Sequence, residues 1–248
     1  MPGQPAQPPT GDVYQLDGCD RVCLLPRLSL SELIHIGGLV RAIAERATDV
    51  MLLAKRAHVG PIRCLYGDLP NVRFHFVDDW DQLYLPSTER GETLLERLEQ
   101  KKFRVVPLPS FREACPYAML GLPVGLAQTE FRLHRNLEDE RRLLDLVTAA
   151  VGSTYVVVHD DPERRIRPSL TPDGLRVVSV RDPAFRTGNP FDWILVIDQA
   201  VQFHGIDSCF LMMADALDLR CRKFCHAYAN PTSHVRPGAY RDVVMVWG

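Results

Sequence analysis

The stretch RVCLLPRLSLSELIHIGGLVRAIAERATDVMLLAK (residues 21–55) decides the fold class. RVCLLPRL is a short apolar run interrupted at Pro26, which reads as a buried strand. Ser29 or Ser31 then opens a helix, and Glu32 follows Ser29 at the spacing of a capping box. Leu33, Ile36, Val40 and Ile43 recur at three- and four-residue steps, so one helix through Ala47 buries a single face. Gly37 and Gly38 lie inside it at a cost in helix stability, which predicts that another part of the chain packs closely there. VMLLAK is a second strand. Strand, helix and strand in this order make a crossover between parallel strands.

The alternation continues outward. AHVGPIRCLYGD is a shorter helix, NVRFHFV a third strand, STERGETLLERLEQKKF an amphipathic helix with Leu94, Leu95 and Leu98 inside, and RVVPLP a fourth strand ended by its prolines. The segment SFREACPYAMLGLPVGLAQTEFRLHR breaks the rhythm and reads as a short helix followed by a connection. NLEDERRLLDLVTAAVG is a clear helix, with Asn136 as N-cap and Gly152 just past its end. TYVVVHDD and LRVVSVRD are strands, DWILVIDQA a crossover helix, QFHGIDS a strand entering the helix SCFLMMADALDL, and RKFCHAYA and DVVMVWG the closing strands. The chain is therefore α/β, with two parallel sheets in succession. The expected division is a disordered lead-in over residues 1–17, a first lobe over 18–125 and a second over 126–248.

Composition sets the outer limits. The 248 residues are 46% hydrophobic and 24% charged with a formal net charge of −2, a balance that suits a globular protein and offers no basic surface for nucleic acid. No run of 18 apolar residues suggests a membrane span, and MPGQPAQPPTGD lacks the pattern of a signal peptide, so a cytoplasmic location is expected. The seven cysteines fit reduced thiols; Cys23 and Cys225 sit in strand patterns, where a thiol acts as a small buried hydrophobe. A metal site is not expected. Asp78-Asp79-Trp80-Asp81 has the look of a metal-holding Asp-x-Asp, but acidic residues are ordinary in a turn after a strand. Self-pairing of the tail DVVMVWG offers a route to a homo-oligomer.

In open α/β sheets, ligands bind beyond the carboxyl ends of the strands. Besides Asp78–Asp81, three polar groups fall there. His159-Asp160-Asp161, followed by Glu163, Arg164 and Arg165, leaves the strand YVVV; paired arginines match the geometry of a diphosphate. His204-Gly205-Ile206-Asp207-Ser208 leads into a helix, where Asp207 or Ser208 is placed as N-cap and the helix start can take an anion. Ser29-Leu30-Ser31-Glu32 and His35 follow the first strand, and Glu32 could accept a proton from a hydroxyl. A dinucleotide-binding dehydrogenase would need a glycine-rich turn after the first strand; this chain has Pro-Arg-Leu-Ser-Leu-Ser.

LSELIHIGGLVR (residues 30–41) resembles the first helix of heptosyltransferase-like glycosyltransferases of the GT-B type, and the segments His159–Arg165 and Ile206–Leu211 are similar to their donor-side strand ends. The resemblance lies in the order of motifs over roughly residues 20 to 230. It implies two Rossmann-like lobes whose parallel sheets face a cleft. It also implies a nucleotide-sugar donor on the C-terminal lobe, at His159, Asp160, Asp161, Arg164, Arg165, Asp207 and Ser208. A glycan or other hydroxyl acceptor belongs to the N-terminal lobe, with Glu32 or His35 as catalytic base. Neither metal nor cofactor is implied, because arginines and a helix start neutralise the leaving diphosphate. Where the family shows Gly-Asp, this chain has Ser31-Glu32, which sets the carboxylate one methylene further out. A non-catalytic binding protein of the same fold is the alternative.

Overall fold

A computed structural model describes residues 16, 18–84, 92–110, 114–161, 168, 174–227, 240 and 242–247. By internal contacts the chain divides into Met1–Arg132 and Leu133–Gly248.

The first unit holds a four-stranded sheet. Its strands are β1 (Arg21–Leu25), β2 (Asp49–Lys55), β3 (Val72–Val77) and β4 (Arg104–Pro107), in the order β3-β2-β1-β4 with every pairing parallel. Two helices, α1 (Leu30–His35) and α2 (Gly37–Ala44), occupy the first crossover. Next come α3 (Val59–Tyr66) and α4 (Leu94–Gln100), the latter opened by a complete Thr93–Glu96 capping box. Cys23, Leu25, Leu53, Val77, Leu94, Leu98 and Phe103 form one core cluster. Burial pushes the Cys23 thiol up to about 12, as for an inert hydrophobe in a strand.

The single helix expected over residues 29–47 is two helices, interrupted at Ile36. The cause is Tyr117, fully buried on α5 (Pro116–Met119). Its hydroxyl donates to the carbonyl of His35 (2.8 Å) and accepts from the amide of Leu39 (3.2 Å), two groups that a continuous helix would join directly. The predicted close packing at the glycines is real. A Cβ on Gly38 would lie 2.6 Å from the carbonyl carbon of Leu126, at the start of α6 (Leu126–Thr129). α6 rests on α2, within the unit that ends at Arg132.

The second unit begins with α7 (Leu137–Val151), capped by Asn136 and ended by Gly152 at a φ of 85°. Five parallel strands follow: β5 (Tyr155–Val158), β6 (Arg176–Ser179), β7 (Gln202–Gly205), β8 (Arg222–His226) and β9 (Val243–Val246), in the order β6-β5-β7-β8-β9. The crossovers include α8 (Ile194–Gln199) and α9 (Cys209–Ala216). Tyr155, Val157 and Phe203 are buried in the sheet, and the Tyr155 hydroxyl donates to the carbonyl of Val196 on α8. The expected lead-in falls almost wholly outside the described residues. Among those described, no helix is long and apolar enough to cross a membrane.

Candidate functional site

Each sheet contains one place where consecutive connections run off in opposite directions, and there the strand ends leave a crevice. In the first unit it lies between β1 and β4, and in the second between β5 and β7. Each crevice is bridged by a hydrogen bond that includes a side chain named from the sequence.

In the first unit, Ser29 caps α1 by accepting the amide of Glu32 (3.3 Å) and lies 3.1 Å from the hydroxyl of Ser31. The Glu32 carboxylate, 5% exposed, accepts a hydrogen bond of 2.6 Å from the hydroxyl of Ser110, just beyond β4. That bond ties the β1 end to the β4 end. His35 is half-buried with its ring edge-on to Tyr117 at 5.8 Å, and burial pushes its pKa down to about 4. It is neutral at pH 7.

In the second unit, β5 delivers His159 and Asp160 while β7 delivers Asp207 and Ser208. The β5–β7 pairing continues past the strands, with the His159 amide donating to the carbonyl of His204. His159 Nδ1 lies 2.8 Å from the hydroxyl of Ser208, and its ring packs 4.7 Å from Phe210. Burial pushes the His159 pKa down to about 3, aided by the charge of Arg181 and opposed by that of Asp161. Ser208 occupies the N-cap position of α9 in an extended conformation, but its side chain makes no capping bond to the helix. Its hydroxyl is turned to His159 instead, which corrects the expectation of ordinary capping there. The other expected cap, Asp207, is buried and accepts a hydrogen bond of 2.7 Å from Tyr240. Asp160 accepts from the hydroxyl of Ser179 on β6 (3.1 Å), and Asp161 follows it half-buried. Arg164 and Arg165 lie outside the described residues.

Ser110, Tyr117, Ser179 and Tyr240 have no motif around them, and their parts in these junctions arise only from folding. His204 and His226 also pair, Nδ1 to Nε2 at 2.9 Å, with His204 stacked on Phe224 and bonded to Gln202. His226 is thereby placed within the sheet, 2% exposed. The Asp-x-Asp-like acids are used locally: Asp79 caps the turn at Trp80, and Asp78 pairs with Arg56 and Gln82.

No family model and no curated protein matches the chain. Among solved structures, it is similar to the ADP-heptose lipopolysaccharide heptosyltransferase II of E. coli, with a TM-score of 0.49 and 12% identity over 91% of this chain and 90% of that one. It is likewise similar to a glycosyl transferase family 9 protein from Veillonella parvula, with a TM-score of 0.49 and 9% identity over 95% of this chain and 88% of that one.

Proposed function

We propose that the protein is a glycosyltransferase that moves a sugar from a nucleotide-sugar donor to an acceptor hydroxyl without a metal. The observation that carries this reading is the His159–Ser208 hydrogen bond across the crevice between β5 and β7. It leaves a neutral imidazole, a hydroxyl not used for capping and the start of an eight-residue helix at one strand-end crevice. A leaving diphosphate needs hydrogen-bond donors, and the Ser208 hydroxyl beside the α9 start suits it. Asp160 and Asp161 are assigned to the donor's hydroxyl groups, and Arg164 and Arg165 to its phosphates.

In this reading Glu32 is the base. The acceptor oxygen gives its proton to the carboxylate and forms the new bond at the anomeric carbon, while the bond to the diphosphate breaks and its electrons leave with the phosphate oxygen. His35, pushed down to about 4 by burial, is neutral at pH 7 and about as basic as an ordinary carboxylate, so it is the second candidate for that proton. One observation favours the non-catalytic alternative, a nucleotide-sugar or glycan-binding protein: Glu32 is buried and already accepts from Ser110.

Thermal unfolding of the protein with GDP-, UDP-, ADP- and CMP-sugars, with and without EDTA, tests the reading. A ligand at about 100 times its dissociation constant stabilises by roughly 2.7 kcal/mol. An EDTA-insensitive rise with one nucleotide class is expected, and no rise with any of them overturns the reading. Glu32→Gln separates the alternatives, since an enzyme loses turnover and keeps donor binding.

A further inference from the structure

We propose that Arg181 is a further side chain that grips the donor's diphosphate, an assignment that rests on the glycosyltransferase reading. Arg181 lies two residues beyond β6, and its backbone is fixed to the same crevice by a short relay. The Val180 amide donates to the carbonyl of Val158 (3.0 Å), which extends the β5–β6 pairing beyond the strand ends. The Arg181 amide donates to the hydroxyl of Ser179 (3.0 Å), and that hydroxyl donates to Asp160 (3.1 Å). The backbone of Arg181 is thus tied to the strand end that carries His159.

Its side chain is exposed, and among the described residues no carboxylate pairs with the guanidinium. The adjacent Asp182 is used on the amide of Ala184 (2.9 Å), and Asp160 is used on Ser179. Asp161, whose charge also reaches His159, has a partner of its own. The guanidinium's charge is felt both at His159, after β5, and at Cys209, the first residue of α9. A cation beside the positive end of a helix is unfavourable by itself and becomes favourable once an anion sits between them. A guanidinium fork whose charge reaches both strand ends, together with the Ser208 hydroxyl, suits a group with several oxygens such as a diphosphate.

Titration calorimetry on the full chain with UDP, GDP, ADP and CDP, and with the matching nucleosides, tests this. The wild type is expected to bind one diphosphate more tightly than its nucleoside. Arg181→Gln is expected to weaken that diphosphate about 10- to 100-fold, the range for loss of a charged hydrogen-bond partner, while nucleoside affinity holds. Arg181→Lys, which keeps the charge without the fork, falls between them. An unchanged diphosphate affinity in Arg181→Gln overturns the assignment and leaves the transferase reading standing. Equal losses for nucleoside and diphosphate in both variants overturn it as well, by showing a structural effect. If the wild type binds no diphosphate, the underlying reading falls and this one with it.

Discussion

Replacing Gly38 by alanine sets two opposed effects against each other, and the structure decides which wins. Alanine is favoured over glycine in a helix by about 1 kcal/mol. The new Cβ, however, would stand 2.6 Å from the carbonyl carbon of Leu126 and 3.3 Å from the amide nitrogen of Ala127. Comfortable contact between carbon atoms begins near 3.5 Å and the Leu126 carbonyl oxygen lies nearer than its carbon, so the first turn of α6 must retreat by more than about 1 Å. The obstacle is backbone and cannot rotate away, and the Leu126 carbonyl accepts from the amide of Glu130. Overpacking costs about 1–3 kcal/mol and occasionally more; a backbone obstacle this close puts the cost at about 2–3 kcal/mol, and after the helix gain the net loss is about 1–2 kcal/mol. At roughly 2–4 °C per kcal/mol for a chain of this size, unfolding shifts down by about 2–8 °C. Gly37→Ala is the matched control. Its Cβ meets only the Phe131 ring, at 3.4 Å, so the helix preference dominates and stability holds or rises. Urea unfolding of both variants, followed by far-UV circular dichroism, measures the difference. Equal stability of the two variants, or a more stable Gly38→Ala, would refute the argument.

Asp192, 8% exposed, has its pKa pushed up to about 6 by burial, with Asp139 and Glu140 adding to the effect. A carboxyl raised in the folded state contributes stability that is present below its unfolded value of about 3.9 and is lost as pH rises through about 6. Asp192→Asn is therefore expected to stabilise at pH 8, by about 1–2 kcal/mol after allowance for solvent screening, and to change little at pH 4; urea midpoints at the two pH values check the sign. Tyr240→Phe removes the phenol that donates to buried Asp207, and a loss of about 1.5–3 kcal/mol is expected in the same assay. An unchanged urea midpoint would show that Asp207 does not depend on that bond.

The α/β class was legible because each strand is a short apolar run and each crossover carries its own helical period. The break at Ile36 was not, since its cause, Tyr117, lies 82 residues from the carbonyl it caps. The same distance effect governs the candidate site. His159 and Ser208 were readable as strand-end residues, but their hydrogen bond spans 49 residues, and the bond holding Asp207 spans 33. A local pattern assigns Ser208 to capping because that is what a serine before a helix does alone. The fold offers it a better-placed partner. The glycine pair was informative for the opposite reason: a residue type with a local cost marks a contact even when the partner cannot be named.

The order β3-β2-β1-β4 also bears on how the chain is made. β1 finds β2 soon after both are synthesised, but its other edge pairs Val22 with Arg104, about eighty residues later. At roughly 5–20 residues per second, that edge waits about 4–16 seconds for its partner to be translated. During this interval the apolar run Val22–Leu25, destined for the centre of a sheet, has an open side. Such an edge can recruit another chain. Solubility during expression is then set by how fast ribosomes traverse the segment between β2 and β4 and by whether a chaperone covers β1 meanwhile. Synonymous codons that slow this segment would lower the soluble yield without altering a single side chain of the folded protein.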